Sequence, residues 1–345
     1  MSVDARTYDP QVVDFRAVTA WMDDQGLGGG PVEHVTPISG GTQNVLLRFE
    51  RGGRPYVLRR GPRHLRPRSN DTLRREMRVL AALAGTGVPH PRLIAACDDP
   101  GVLDGAVFYL MEPVDGFNIT VDLPSQYVSD QAWRHRMGLK AADVLAALGA
   151  VDHQAVGLAG LGRPEGFLER QVPRWLAELE SCGGGAELPG VERVANWLER
   201  NRPAVWTPGV MHGDYHLANV LFAYDGPRIA AVVDWEMCTI GDPLLDLGWL
   251  LATWPDPEDS APVLLDLPDG LPSPGEITAR YAARSSRDLS AIAWYTVLAC
   301  FKLGIVLEGT HARALVGKAP KNVGERLHAV AVGLFARAGR HITRS

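Results

Sequence analysis

Val210-Met-His-Gly-Asp-Tyr-His-Leu-Ala-Asn-Val-Leu-Phe222 is the stretch on which the reading of this chain turns. A second stretch follows closely, Ala230-Ala-Val-Val-Asp-Trp-Glu236. Apolar, strand-like runs flank both, so each sets polar residues at the end of a short strand. In the first, His212, Asp214 and Asn219 fall as H-x-D-x-x-x-x-N. In the second, Asp234 ends the run Ile229–Val233. A carboxylate and a carboxamide are hard oxygen donors of the kind Mg²⁺ takes. A second carboxylate beside them can meet a hydroxyl group. This set suits a reaction in which the protein positions groups and stabilises charge rather than forming bonds of its own. Taken singly, each motif also fits a turn residue or a helix cap. The two together, in this order and this close, favour the chemical reading.

The spacing matches the catalytic loop of protein kinases, in which the Asp meets the substrate hydroxyl and the Asn holds a metal. Adding Ile240-Gly-Asp-Pro243 and Asp246, the segment resembles the aminoglycoside phosphotransferase and choline kinase group, from about Pro37 to Trp254. The resemblance implies an α+β, bilobal protein-kinase-like fold, with a small antiparallel-sheet N-lobe and a mostly helical C-lobe. It divides the chain into residues 1–112 (N-lobe), 113–118 (hinge) and 119–345 (C-lobe). It implies phosphoryl transfer from ATP, or GTP in its place, to a hydroxyl of a small molecule. Asp214 would be the base, Asn219 and Asp234 the Mg²⁺ ligands, and His212 and Asp246 supports of the loop. For Asp246 an ordinary acid in the first turn of a helix is the plainer alternative. His216 either contacts the acceptor or is occupied by its own backbone.

Upstream, Val32–Ile38, Asn44–Glu50 and Pro55–Arg60 read as strands. Ser39-Gly-Gly-Thr-Gln43 lies between the first two. Such a turn lets backbone N–H groups approach phosphates, so Gly40, Gly41 and Thr42 are nucleotide-binding candidates. In Tyr56-Val-Leu-Arg-Arg60, Val57 and Arg59 share a strand face. The resemblance sets Val57 beside adenine and Arg59 where related enzymes carry a phosphate-binding Lys. Arg binds phosphate too, though the two cations are not interchangeable. The alternative is a solvated edge charge. Asn70-Asp-Thr72 reads as the cap of a helix from Leu73 to Ala84, with Glu76 beside its apolar stripe. Glu76 either orients the strand cation or is a surface acid next to Arg75. Val107–Met111 reads as a strand that ends in a turn, and the resemblance gives Met111, Glu112 and Val114 to the adenine.

Composition narrows the classes. The chain has 345 residues, 46% of them hydrophobic and 22% charged, with net charge −5. That balance carries no global nucleic-acid signature. Four scattered cysteines without a C-x-x-C fit a reduced cytoplasmic setting, and no signal-peptide pattern is read at Met1. No apolar run reads as long enough to span a bilayer, so no membrane partner is expected. Helical patterns resume at Pro274–Arg284, Asp288–Gly309 and Val323–His341.

From Lys302 on, Lys and Arg outnumber Glu308 and Glu325. These cations form either a solvated helix face or a surface suited to a neutral or anionic acceptor. Val57–Arg60 and Leu73–Leu80 also resemble the kinase-like domains found beside acyl-CoA dehydrogenases, which implies a hydroxyacyl thioester as one candidate acceptor. A pseudokinase, binding nucleotide without turnover, is the rival reading that Arg59 raises. A metal-dependent hydrolase using the His and Asp residues is a third possibility.

Overall fold

The apolar residues of Tyr56-Val-Leu alternate between the two faces of a central strand, and both faces are covered. Strand β3 (Arg54–Arg60) lies between β2 (Val45–Arg51) and β5 (Phe108–Met111) in an antiparallel sheet of order β1-β2-β3-β5-β4. Here β1 is Val32–Pro37 and β4 is Leu93–Cys97. Gly52 and Gly53 turn β2 into β3 with φ of 57° and 72°, values at which a side chain would be strained. Helix α1 (Phe15–Asp24) is capped by Asp14, whose carboxylate accepts from the Arg16 amide at 2.8 Å. It lays Val18 and Met22 into a core with Phe49, Tyr56, Leu58 and Phe108. Arg51 is buried there because carbonyls surround it: Gly30 at 3.0 Å and Leu27 at 3.3 Å, with Asp23 as its counter-charge.

The computed structural model describes residues 12–38, 44–182, 188–256, 258 and 262–344. The chain forms two units. The first runs to Asp115 and takes in Val233–Glu236, and the second comprises Gly116–Val232 and Met237–Ser345. The sequence reading set everything from residue 119 in the second lobe. Val233–Glu236 clusters with the first unit instead, where Arg59 pairs with Asp234.

Helix α2 (Ser69–Leu83) completes the first unit. It begins earlier than the predicted Leu73, and no side chain caps it. Asn70 is employed elsewhere. It donates to the Gly105 carbonyl at 2.7 Å and accepts from the Val107 amide at 3.2 Å, tying the helix to the turn before β5.

The second unit carries a three-stranded sheet of order β6-β8-β9 (Phe117–Asn118, Val220–Phe222, Ile229–Val232) and the pair β7 (Gly209–Met211) and β10 (Thr239–Gly241). Its helices are α3 (Ser125–Ser129), α4 (Gln131–Gly149), α5 (Gln171–Ser181), α6 (Val191–Arg200), α7 (Leu244–Ala252), α8 (Pro274–Ala282), α9 (Ile292–Leu315) and α10 (Lys321–Arg344). Helices α5, α6, α7 and α10 all pack on α9. By length and composition α9 could cross a bilayer, contrary to the sequence expectation, with a mean hydropathy of 1.5. Its apolar residues are covered by the unit's own helices, which is how a core helix becomes apolar all round.

Candidate functional site

The motif of the second unit begins where β7 ends. His212 and Gly213 point their amides at one carboxylate, that of Asp246 on α7, at 2.6 and 2.9 Å. Asp246 is fully buried, and burial pushes its pKa up to about 7 against the pull of those two donors and of Lys302. Gly213 has φ 88°, and a Cβ there would lie 2.5 Å from the Met237 carbonyl oxygen, so glycine is required. The Tyr215 hydroxyl donates to the Ala141 carbonyl on α4 at 2.9 Å, which anchors the far side of the loop.

Asp214 sits at the loop's turn, where three side chains converge on its carboxylate. Trp249 Nε1 donates to Oδ1 at 2.9 Å, His216 Nε2 lies 3.2 Å from the same oxygen, and Asn219 Nδ2 donates to Oδ2 at 3.1 Å. Burial opposes the charge, but His216, His212 and Trp249 hold the carboxyl down to about 2. Asp214 is therefore ionised throughout the physiological range. Asn219 also donates to the Asp214 carbonyl at 2.9 Å. Its amide nitrogen is thus engaged, and its amide oxygen, with no partner among the described residues, is the atom left to offer a cation. Asp246 and Trp249 stand three residues apart on α7, so one helix face holds both the loop backbone and its acid.

Trp249 leads to a residue the motif reading did not assign. Lys302 on α9 is 9% exposed, and its ammonium lies 5.3 Å from the Trp249 ring and 5.5 Å from the Trp175 ring. Burial lowers its pKa to about 8, against the pull of Asp246 and Asp214. Gly248 allows this approach, because a Cβ there would meet the Tyr295 carbonyl oxygen of α9 at 2.5 Å. Two buried polar atoms nearby in this chain of contacts lack partners among the described residues, Trp175 Nε1 and His216 Nδ1.

Several other cations of the basic tail are occupied. Arg337 donates to the carbonyls of Leu251, Ala252 and Trp254 at and just past the end of α7. Arg340 pairs with Asp256 at 3.0 Å, Arg344 with Glu258 at 2.6 Å and Lys321 with Glu325 at 3.6 Å. A count of charges along the tail therefore says little about an acceptor. Lys302 carries the argument that remains.

In the first unit, β3 pairing sets Arg59 opposite Tyr109 and Val57 opposite Met111, both Val57 and Met111 buried. Arg59 Nε is 2.9 Å from Glu76 Oε2, a close ion pair without hydrogen-bond alignment. Its Nη2 donates to Asp234 Oδ1 at 2.9 Å and is 3.8 Å from Glu236. Burial works against the guanidinium charge, but Glu76, Tyr109 and Asp234 raise its pKa above the ordinary value. Glu76 is 2% exposed, and burial pushes it up to about 7 although Arg59 pulls the other way. The surface-acid reading of Glu76 and the edge-charge reading of Arg59 do not fit this burial. Arg60 points elsewhere, to the Val12 carbonyl.

Asp234 has φ 65°, an uncommon conformation outside glycine, and its side chain is 40% exposed. At the end of β5, the Glu112 amide is committed to the Arg92 carbonyl at 2.9 Å, and its carboxylate pairs with Arg92 and Arg54. Gly40, Gly41 and Thr42 lie outside the described residues.

Comparison with known proteins agrees with this geometry. The phosphotransferase enzyme family model matches residues 34–287. Acyl-CoA dehydrogenase family member 11 of Pongo abelii is 30% identical over 88% of this chain, which spans 40% of that protein. Acyl-CoA dehydrogenase family member 10 of Mus musculus is 29% identical over 84% of the chain, which spans 27% of it. The chain thus covers well under half the length of these relatives. Among solved structures, a proposed aminoglycoside phosphotransferase from Ralstonia eutropha superposes with TM-score 0.79 at 28% identity, covering 95% of this chain and 99% of that one. Aminoglycoside phosphotransferase APH(4)-Ia, in a ternary complex with ADP and hygromycin B, shares the fold with TM-score 0.60 at 16% identity, covering 94% and 98%.

Proposed function

Because the chain belongs to the phosphotransferase enzyme family, with the protein-kinase-like fold of its structural neighbours, we propose that it transfers the γ-phosphate of ATP, or of GTP, to a hydroxyl of a small neutral or anionic molecule. The observation that supports this most is the Asp214 carboxylate, held ionised by Trp249, His216 and Asn219 on a loop fixed by Asp246.

In the reaction, the acceptor oxygen forms a bond to the γ-phosphorus while the bond to the leaving nucleoside diphosphate breaks. Asp214 accepts the hydrogen bond of the acceptor hydroxyl, aims its lone pair and takes its proton as the new bond forms. Trp249 and Asn219 keep the two carboxylate oxygens from rotating, so the orientation is set before substrate arrives. Glu76 holds the Arg59 guanidinium, and Arg59 offers its charge to the phosphates of the nucleotide. The donor chemistry fits Mg²⁺ in each unit. In the second, Asn219 keeps its amide oxygen available; in the first, Asp234 keeps one carboxylate oxygen beyond Arg59. Such an ion supplies charge neutralisation at the phosphates.

The second unit supports the reading of the acceptor class. A buried ammonium stacked between two indoles, one of which holds Asp214, would repel a polycationic drug and attract a carboxylate, phosphate or thioester-bearing alcohol. The named relatives of this chain are acyl-CoA dehydrogenase family members, which makes a hydroxyacyl thioester the first candidate.

One observation favours the rival, a nucleotide-binding module without turnover: Arg59 is already paired with Glu76 and Asp234. Incubation with Mg-ATP or Mg-GTP, with and without a panel of hydroxyacyl thioesters, hydroxy acids and a kanamycin-like drug, separates the readings. Acceptor-dependent ADP or GDP release and a phosphorylated product are expected. Nucleotide binding with no product from any acceptor would decide for the rival.

A further inference from the structure

Further along α9, past Lys302, lies a cluster that phosphoryl transfer does not use. Glu308 is 0% exposed, yet it is a carboxylate. Its Oε1 lies 3.1 Å from Nδ1 of His311, one turn on, and its Oε2 lies 2.7 Å from Nδ1 of His328 on α10. Among the described residues these two imidazoles are its only charged-group partners, with no Lys or Arg against it. The two rings stand 4.5 Å apart, centroid to centroid. The three potential ligand atoms all lie within 4.8 Å of one another.

A buried carboxylate needs a compensating positive charge, and two neutral imidazoles supply none. Either Glu308 is neutral, a ring carries an extra proton, or a cation sits among the three groups. Two imidazole nitrogens and one carboxylate are a donor set of catalytic and structural zinc sites. Bonds of about 2.0–2.1 Å to a tetrahedral ion place ligands roughly 3.4 Å apart, within reach of small side-chain rotations from this arrangement.

The helices are locked together at this point. A Cβ on Gly324 of α10 would run into the Ala314 methyl of α9 and stand 3.4 Å from the His311 Cα. His328 is 26% exposed, which leaves an edge for entry of the ion and for a water as fourth ligand.

We propose that Glu308, His311 and His328 form a zinc site that clamps α10 to α9. It is distinct from the hard-cation donors Asn219 and Asp234, because imidazole nitrogens suit Zn²⁺ and other borderline metals rather than Mg²⁺. The clamp would steady the helix that carries Lys302, fewer than two turns before Glu308.

The test uses tag-free, full-length protein stripped with chelator, then dialysed against Zn²⁺ with excess Mg²⁺ present. One zinc per chain is expected by elemental analysis, with a higher melting temperature than the stripped protein. Substitution by Co²⁺ should give the visible absorption of a four-coordinate N/O site. Glu308→Gln and His328→Asn should each weaken Zn²⁺ binding by at least about 100-fold, more than loss of an outer-shell partner does. Asp234→Asn and Cys182→Ser should bind as wild type does. Should Glu308→Gln fail to fold, His328→Asn, at the partly exposed position, carries the test, with circular dichroism as the check. Failure of the wild type to retain a stoichiometric zinc overturns the proposal. So does undiminished retention in His328→Asn.

Discussion

Replacing Trp249 by Phe tests the arrangement at Asp214 most directly. The substitution keeps an aromatic ring on α7 but removes the N–H that donates to Oδ1 at 2.9 Å. A hydrogen bond to a charged group contributes about 1.5–3 kcal/mol. Expressed as protonation, that is about 1–2 pKa units. Asp214 would then rise from about 2 to between about 3 and 4, still ionised at neutral pH. The loss must therefore appear in orientation and not in protonation. If the whole bond acts in the transition state, kcat falls by roughly 10- to 150-fold. The assay is acceptor-dependent nucleotide turnover from pH 5 to 8, with nucleotide affinity measured by calorimetry. Within that window no acid limb should appear, and the nucleotide affinity should match wild type. Trp175→Phe is the control: it flanks Lys302 but does not touch Asp214, so it should change KM for the acceptor more than kcat. Wild-type kcat in Trp249→Phe, or an acid limb appearing above pH 5, would refute the reasoning.

Asp214→Ala should abolish transfer and leave Mg-nucleotide affinity within a few-fold, and unchanged turnover would sink the mechanism. Arg59→Lys should keep activity, while Arg59→Ala and Glu76→Ala should each lose much of it and lose little more when combined, since the pair acts as a unit; additive losses in the double mutant would separate them. Lys302 is charged below its lowered pKa of about 8, so KM for an anionic acceptor should climb as pH rises past 8, and Lys302→Met should show a high, flat KM across that range. Glu76, with its folded pKa raised to about 7 from 4.5, contributes stability that is full below pH 4.5 and lost as pH rises to 7. The term amounts to at most about 3 kcal/mol, and Glu76→Gln should remove that slope from denaturant midpoints measured across the window.

What the sequence disclosed, and what it hid, divides along the range of the interactions. The loop from His212 to Asn219 is legible because its chemistry is local: a glycine, an acid and an amide at fixed offsets. The antiparallel strands around Tyr56–Arg60 are legible from alternation, which also separates Arg59 from Arg60 by strand face. Trp249 and Lys302 are not legible in this way. Trp249 reads as a core aromatic on an apolar helix, and only its position three residues after Asp246 points to the loop. Lys302 reads as one of many cations in a basic tail, because counting charges does not reveal which are paired. Arg337, Arg340 and Arg344 are spent on carbonyls and acids, whereas Lys302 is buried against two indole rings. Asn70 looks like a cap by type, but it ties a turn 35 residues away. The continuous apolar face of α9 is a tertiary fact too, since its covering helices come from three separate parts of the chain.

The left-handed backbone of Asp234, with φ 65°, has a consequence for how such chains lose activity. A non-glycine residue held there stores on the order of 1 kcal/mol of strain. Asparagine tolerates that conformation and glycine is at ease in it. A change of Asp234 to either residue would thus cost the turn nothing and leave Arg59 still paired with Glu76. Any selection that reads only expression, solubility or melting temperature would let the change pass or reward it. A lineage released from the need to turn over substrate would drift there without a folding penalty. Descendants of that kind would look intact in every global measure of similarity, and only the residue at this one turn would show that the chemistry had gone.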